Sequence, residues 1–318
     1  MYIICWTENF EVLMARVRNC CSTSKPAIWI WLISALTFYV LFLMATHNST
    51  EWSISNAEQR SRLYEKMEKD LDVHGAAFIK QGETTQSLSL SDLFTLKDGV
   101  VTPVLKAANP PVRANVLYLN PEYSVPIAEA VRAIFLPHFD KAIWFQNSSL
   151  YHFSMFHASH HITAVPASES EIEAEANAVR AVSESICPLK IALDRVVLTT
   201  TGVLVGCWQV DSGTDPVTIR QKLRNALPHA PAKQLYDTVM LHTSFARLLG
   251  HPGSLPEEAN KVSELQFLHE LVHTLNNKIR GTKATVGELW YVEEYDILAL
   301  ALNGRMEVRK FQLGCSKV

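Results

Sequence analysis

Leu150–His161 reads LYHFSMFHASHH, and its first half returns further along the chain in Thr238–Arg247, TVMLHTSFAR. Each copy runs apolar residue, His, any residue, Ser, bulky apolar residue. On a β-strand successive side chains alternate between faces. His152 and Ser154 therefore project together, with Tyr151, Phe153 and Met155 forming the back. In the second copy His242 and Ser244 share the front, and Leu241, Thr243 and Phe245 lie behind. Such a strand lays an apolar back in a core and presents a proton-transfer group beside a hydroxyl. Two of them face to face would make a cleft with two imidazoles and two hydroxyls.

The tripeptide alone carries little information, because His-x-Ser or His-x-Thr also occurs at His47, His157 and His161, in a chain of 12 histidines. Position separates the copies. His47 abuts a long apolar run, and His157 and His161 lie at or past the end of the first strand. Only Ser154 and Ser244 are followed by a bulky apolar residue, and only these copies open equivalent rounds of the pattern around them.

That pattern alternates. Asn115–Leu119 is a strand, and Ser124-Val125-Pro126 opens a helix with Ile127, Val131, Ile134 and Phe135 on one face, ended by Pro137. After the first His strand, Ser168 and Glu171 form a capping box for a helix carrying Ile172, Val179, Val182 and Ile186. Ile191–Thr199 and Val203–Val210 form a hairpin split at Thr201-Gly202. Asp215-Pro216 caps a helix with Ile219, Leu223, Ala226 and Leu227 inward. The second His strand follows; then Pro256 starts a long helix with Val262, Leu265, Leu268, Val272, Leu275 and Ile279 inward. Glu288–Tyr295 and Arg305–Leu313 close the chain as a strand pair about Asn303-Gly304. A His-x-Ser strand leads each round, which is an internal repeat of topology with slight sequence identity between halves.

The 318 residues carry a net charge of −3. No basic stripe marks an extended nucleic-acid-binding surface; a small nucleotide or a strand end remains compatible. The six cysteines show no CxxC and no regular spacing, indicating neither a disulfide scaffold nor a zinc knuckle. Ala27–Thr46, AIWIWLISALTFYVLFLMAT, has no charge and the length of a bilayer crossing. It predicts a single transmembrane helix of signal-anchor type. Arg16, Arg18 and Lys25 before it outnumber Arg60 and Arg62 after it, which favours a type II orientation. The domain then faces the lumen of the endomembrane system or the cell exterior. Cys20-Cys21 are either idle thiols or palmitoylation sites. Asn48-Ser49-Thr50 and Asn147-Ser148-Ser149 match the glycosylation sequon, with Asn147 accessible if its loop is exposed. The chain divides into a cytoplasmic leader (1–26), the span (27–46), a stalk and linker (47–102) and a folded domain (103–318). Within the linker, Glu58–Leu71 reads as a solvated stalk helix and Gly82–Ser91 as a loop.

The paired motifs resemble those of the two-histidine (2H) phosphoesterase superfamily, the RNA ligase and cyclic nucleotide phosphodiesterase-like proteins. With the leader and span, YHFSMFHASHH and DTVMLHTSFARLLGHP look like its plant membrane-anchored branch. The resemblance covers Val112–Gly314. It implies an α+β, bilobal fold of two antiparallel sheets with helices outside and a central cleft. It also implies His152 and His242 as catalytic residues, with Ser154 and Ser244 binding phosphate. The family often has Thr at the hydroxyl position, and this chain departs from that with Ser in both copies. The implied activity is that of a metal-independent cyclic phosphodiesterase, without cofactor, acting on a nucleoside 2′,3′-cyclic phosphate, a related ester or an RNA terminus.

The chemistry agrees. Opening a cyclic phosphodiester requires one group to take a proton from water and another to give one to the leaving oxygen, and imidazole titrates near neutrality. Hydroxyls on the same face donate to the non-bridging oxygens, where charge builds. Arg247 either steers an anionic substrate or is an exposed strand-end residue. Tyr151, Phe156 and Trp208 either stack a base or belong to the core, and Lys190 and Arg195 divide as evenly. Two rivals stay open. One is a binding module that holds an RNA end or nucleotide without turnover. The other is a metalloprotein using His157, His160 and His161, although a catalytic zinc takes three protein ligands and adjacent His160 and His161 point apart on a strand. His157 and His160 are expected at the cleft mouth or in solvent.

Overall fold

The computed structural model describes residues 33–37, 39, 54–76, 88–97, 100–253 and 261–315. The leader, Cys20-Cys21, most of Ala27–Thr46, the Asn48 sequon and Pro256 lie outside the described residues, and so do the expectations attached to them. Among the described residues, no helix is long and apolar enough to cross a membrane. A compact unit spans Ser55–Val318.

Its elements begin with α1 (Asn56–His74), α2 (Leu90–Leu93), β1 (Phe94–Lys97), β2 (Val100–Pro103) and β3 (Ala107–Tyr118). Next come α3 (Pro121–Phe139), β4 (Ile143–Phe145), a 3₁₀ turn (Ser148–Leu150), β5 (His152–Ser159) and α4 (Glu169–Glu184). They are followed by β6 (Leu189–Leu198), β7 (Val203–Ser212), α5 (Pro216–Ala226), β8 (His242–Leu248) and α6 (Lys261–Ile279). The chain closes with β9 (Lys283–Val286), β10 (Glu288–Asp296), α7 (Ala299–Leu302) and β11 (Met306–Gln312).

Two antiparallel sheets carry the motifs: β11-β10-β3-β5 and β4-β8-β7-β6-β9. The α+β architecture of antiparallel sheets and helices is thus present, including the expected hairpins β6–β7 and β10–β11. The backs of both sheets enter one core, where Leu117, Phe153 and Leu289 meet Leu204, Trp208 and Phe245. Ring contacts of 5.7 Å between Phe153 and Trp208 and 5.5 Å between Tyr151 and Phe245 join them. Helices α3 and α6 pack together, as do α4 and α5. Arg113, 1% exposed, forks onto Glu175 of α4 at 2.8 and 3.2 Å, and Tyr291 adds a third bond at 2.8 Å, so the charge pair is satisfied where it is buried.

Four expectations are corrected. The third helix starts at Pro121, capped by Asn120, and runs through both Pro126 and Pro137. Its buried stripe Ile127, Val131, Phe135 and Phe139 contributes about 1.5–3 kcal/mol per side chain, which outweighs roughly 3 kcal/mol for an interior proline. The linker expected at 82–91 contains the start of α2, where Ser89 and Asp92 form a capping box and Leu90 and Leu93 are buried. Cys187 and Cys315 form a disulfide across a sequence separation of 128 residues, a pairing that spacing alone does not reveal.

The fourth correction is the largest. Helix α1, read as a solvated stalk, lies against β6 and β7, and the folded domain begins near Ser55 instead of Pro103. Its apolar positions are sparse because, beside Leu71, what it buries is an arginine and a tyrosine: Arg60 and Tyr64 are both 0% exposed. The Arg60 guanidinium donates to Val239 O at 2.7 Å, Gln209 Oε1 at 3.0 Å and Asp215 Oδ2 at 2.8 Å. A hydrophobic count cannot see a helix anchored this way.

Candidate active site

The two His-x-Ser strands carry matching irregularities. In β5, Val116 faces Ser154 while Asn115 faces Phe156, leaving Met155 unpaired as a bulge. In β8, Val205 faces Ser244 while Leu204 faces Ala246, and Phe245 is the unpaired residue. An extra residue shifts the alternation by one. Met155 and Phe156 both enter the core, as do Phe245 and Ala246. The next front-facing residue is therefore His157 in β5 and Arg247 in β8. Each bulge carbonyl has a donor: Arg220 Nε reaches Met155 O at 3.1 Å, and Gln146 N reaches Phe245 O at 3.0 Å. Gly206 admits the second bulge, since a Cβ there would meet the Phe245 ring at 2.2 Å.

His152, Ser154, His157, His242 and Ser244 line one cleft of about 630 Å³, open mouth included, with Gln146, Tyr236 and Glu294 among its other walls. The structure thus brings together the four motif residues the sequence singled out. His152 Nδ1 lies 2.7 Å from Leu150 O. A carbonyl only accepts, so Nδ1 carries the proton and Nε2 is the nitrogen left for chemistry. Burial lowers the pKa of His152, and the Leu150 carbonyl opposes that shift. His242 packs its ring 4.8 Å from that of Tyr236. Burial pushes its pKa down to about 3, and the Arg220 guanidinium and His152 push the same way. Burial thus disfavours the charged form of both imidazoles.

His157, His160 and His161 of the HASHH cluster line the cleft, but His157 and His160 are buried and not solvated. His157 is buried, and burial followed by its histidine neighbours lowers its pKa to about 3. His160 is buried and fully engaged: its Nε2 donates to Lys233 O at 3.1 Å, and its Nδ1 accepts from Thr163 N at 3.0 Å. Neither nitrogen is left for a metal. Among the described residues no group of three or more His, Cys, Asp or Glu is placed to hold one.

Other expectations divide. Tyr151, weighed as either a base-stacking or a core residue, is 1% exposed and turned into the core, because it lies on the back of the strand. Trp208 and Phe156 are core residues too. Arg195 pairs with Asp194 and Glu68, away from the cleft. Arg247 is half-buried and lines a chamber of about 1000 Å³, open space included, that shares His242, Ser244 and Tyr236 with the cleft. Its Nη1 is buried without a hydrogen-bond partner, and burial lowers its pKa to about 10. Asn147 is half-buried and bonded through both ends of its amide, to Asn303 and to Ser149.

Sequence reasoning passed over Arg220. From α5 it donates to Ser154 O and Met155 O on the first motif strand and to Thr238 O and Met240 O ahead of the second. One guanidinium thus ties both motifs together. It also passed over Glu294, a buried carboxyl in the cleft wall that accepts from Leu300 N at 2.7 Å and whose pKa burial raises to about 7. Arg220 sits beside Ile219 on a helix whose apolar stripe is the only signal a linear reading registers.

No family model matches the chain, and no curated protein matches it. Among solved structures, the chain is similar to TT0787 of Thermus thermophilus, with 12% identity over 65% of this chain and 100% of that one, at a TM-score of 0.45. It is similar to E. coli LigT complexed with phosphate, with 12% identity over 64% of this chain and 98% of that one, at a TM-score of 0.37. A conserved protein of unknown function from Agrobacterium tumefaciens, ATU0111, shows 9% identity over 64% of this chain and 85% of that one, at 0.42.

Proposed function

We propose that this protein is a metal-independent phosphodiesterase of the two-histidine type, opening a cyclic phosphate such as a nucleoside 2′,3′-cyclic phosphate with His152 and His242 as the acid–base pair. The observation that carries this reading is the matched pair of bulged strands, which presents His152 with Ser154 and His242 with Ser244 to one cleft. Ser154 and Ser244 donate to the non-bridging oxygens, and Arg247 supplies the positive charge that an anionic ester needs beside it.

The surroundings of the two imidazoles favour one division of roles. Leu150 O accepts from Nδ1 of His152 and stabilises its imidazolium, whereas Arg220 opposes a charge on His242. His242 is then the base. A water oxygen attacks phosphorus as its proton passes to His242; the ester P–O bond breaks, and the leaving oxygen takes a proton from His152 Nε2. Burial disfavours the charged form of both imidazoles, and the negative charge of a bound substrate raises the His152 pKa so that it holds the proton it gives. The kcat/KM optimum accordingly lies on the acid side of 6.5, and the kcat profile is displaced upward from it.

The Cys187–Cys315 disulfide supports placing the domain in an oxidising space, the lumen or cell exterior. The membrane anchor at Ala27–Thr46 and the plant membrane-anchored branch remain part of this proposal, on the sequence alone.

Purified full-length protein incubated with 2′,3′-cyclic AMP tests the activity. The expected result is a nucleoside monophosphate, with turnover falling about 10²–10⁴-fold in His152→Ala and in His242→Ala. Near wild-type rates in either variant break the pair, and saturable binding with no turnover by the native chain points to the binding module. Role assignment uses bis(4-nitrophenyl) phosphate, whose leaving group needs little protonation. The loss in His152→Ala should shrink with this substrate, and that in His242→Ala should not.

A further inference from the structure

Residues 238–241, the approach to His242, precede β8, and side chains hold every one of their carbonyls. Arg220 Nη1 donates to Thr238 O at 2.7 Å, and Arg60 Nε donates to Val239 O at 2.7 Å. Arg220 Nη2 donates to Met240 O at 2.7 Å, and the Tyr64 hydroxyl lies 2.7 Å from Leu241 O. The same hydroxyl lies 2.9 Å from Trp208 O and accepts from Leu241 N at 3.1 Å. Alternate donors in this row come from α1, outside the region that carries the repeat. Burial raises the Tyr64 pKa, so the phenol keeps the proton it donates. Arg60 is in turn fixed by Asp215, which caps α5 through Val217 N at 2.9 Å, so the helix bearing Arg220 and the helix bearing Arg60 are braced against each other.

We propose that Arg60 and Tyr64 of α1 are positioning residues for His242: by holding the carbonyls of Val239 and Leu241 they set where the imidazole one residue further on stands in the cleft. Among the described residues no comparable brace from α1 reaches His152, whose ring is held by Leu150 O within its own loop. The effect is therefore confined to one of the two histidines. The proposal rests on the reading that His242 belongs to the reacting pair, but its geometry can be tested without turnover.

The experiment uses full-length protein with ¹⁵N-labelled histidine and follows the side-chain resonances of His242 and His152 through a pH titration. In Tyr64→Phe, which removes one oxygen, the His242 resonances should shift and its titration should move toward 6.5, while His152 stays as in the native chain. Leu71→Ala is the control for general loosening, because Leu71 is a buried residue of α1 that touches the core elsewhere. Unchanged His242 resonances in Tyr64→Phe overturn the proposal, and so does an equal change in Leu71→Ala. Should Tyr64→Phe not fold, Arg60→Lys replaces it with the same expected and overturning results. With 2′,3′-cyclic AMP, Tyr64→Phe should lower kcat roughly 10–10²-fold with KM within about threefold, as expected for misplacement and not lost binding. A native chain without turnover sinks the proposed hydrolysis and leaves the resonance test of α1 standing.

Discussion

The β5 and β8 halves begin alike and then part. Each presents His, Ser and, after a one-residue bulge, a third front-facing side chain, which is His157 in one and Arg247 in the other. Their supports differ as well. His152 is held by a carbonyl two residues away, whereas the approach to His242 is gripped by Arg60, Tyr64 and Arg220 from two helices. Repeating a motif therefore repeats the side chains without repeating their electrostatics. A carbonyl stands by one imidazole and a guanidinium by the other, and it is on this difference that the proposed division of acid and base rests.

The largest expected effect breaks the comparison at its centre. The double variant His152→Ala/His242→Ala should lose no more than about tenfold beyond the worse single variant, because the pair acts as a unit. Full multiplication of the two losses, measured under saturating substrate, would show two independent groups instead. Next in size, Ser154→Ala and Ser244→Ala should each lower kcat roughly 10–10³-fold. Equal losses would mean that the halves grip phosphate alike.

The third position sharpens the contrast more finely. Arg247→Ala should raise KM about 10–100-fold, the scale of a lost charge-assisted contact, and His157→Ala should leave KM within a few-fold. The reverse pattern would reassign the anion site to β5. The smallest effect is on stability. His157 and His242 have folded-state pKa values near 3 against 6.5 unfolded, so the unfolded chain binds more protons as pH falls below 6.5. Each should contribute stability fully present above 6.5 and lost progressively toward 3, about 2 kcal/mol apiece by pH 5. Urea midpoints at pH 7 and pH 5 for the native chain and His157→Gln check this; an unchanged difference between them would show that His157 titrates normally.

Much of the site was legible because its signal is local. His152, Ser154, His242 and Ser244 follow from period-two alternation, and even the bulges have a trace in Met155 and Phe245, the bulky residues that set these copies apart from His47, His157 and His161. What the bulges do was not legible: straight alternation turns His157 and Arg247 away from the front, and only the pairing register returns them. Arg220 and Arg60 were missed for a different reason. Their value lies in backbone carbonyls far away in the chain, and a buried arginine on a helix has the same letter as a solvated one. For Tyr151 the alternation already placed the ring on the back of the strand, and of its two readings the core one is what the structure shows.

Helix α1 changes where this protein can be cut. A shortened chain starting at Pro103, where the repeat suggests a natural boundary, would strip the partners from Val239 O, Gln209 and Asp215 and uncover Val197, Val205 and Cys207, which pack around Tyr64. Expression libraries and domain maps drawn from the repeat alone would sever the cleft from one of its own braces, and an inactive fragment would then be mistaken for an inactive protein.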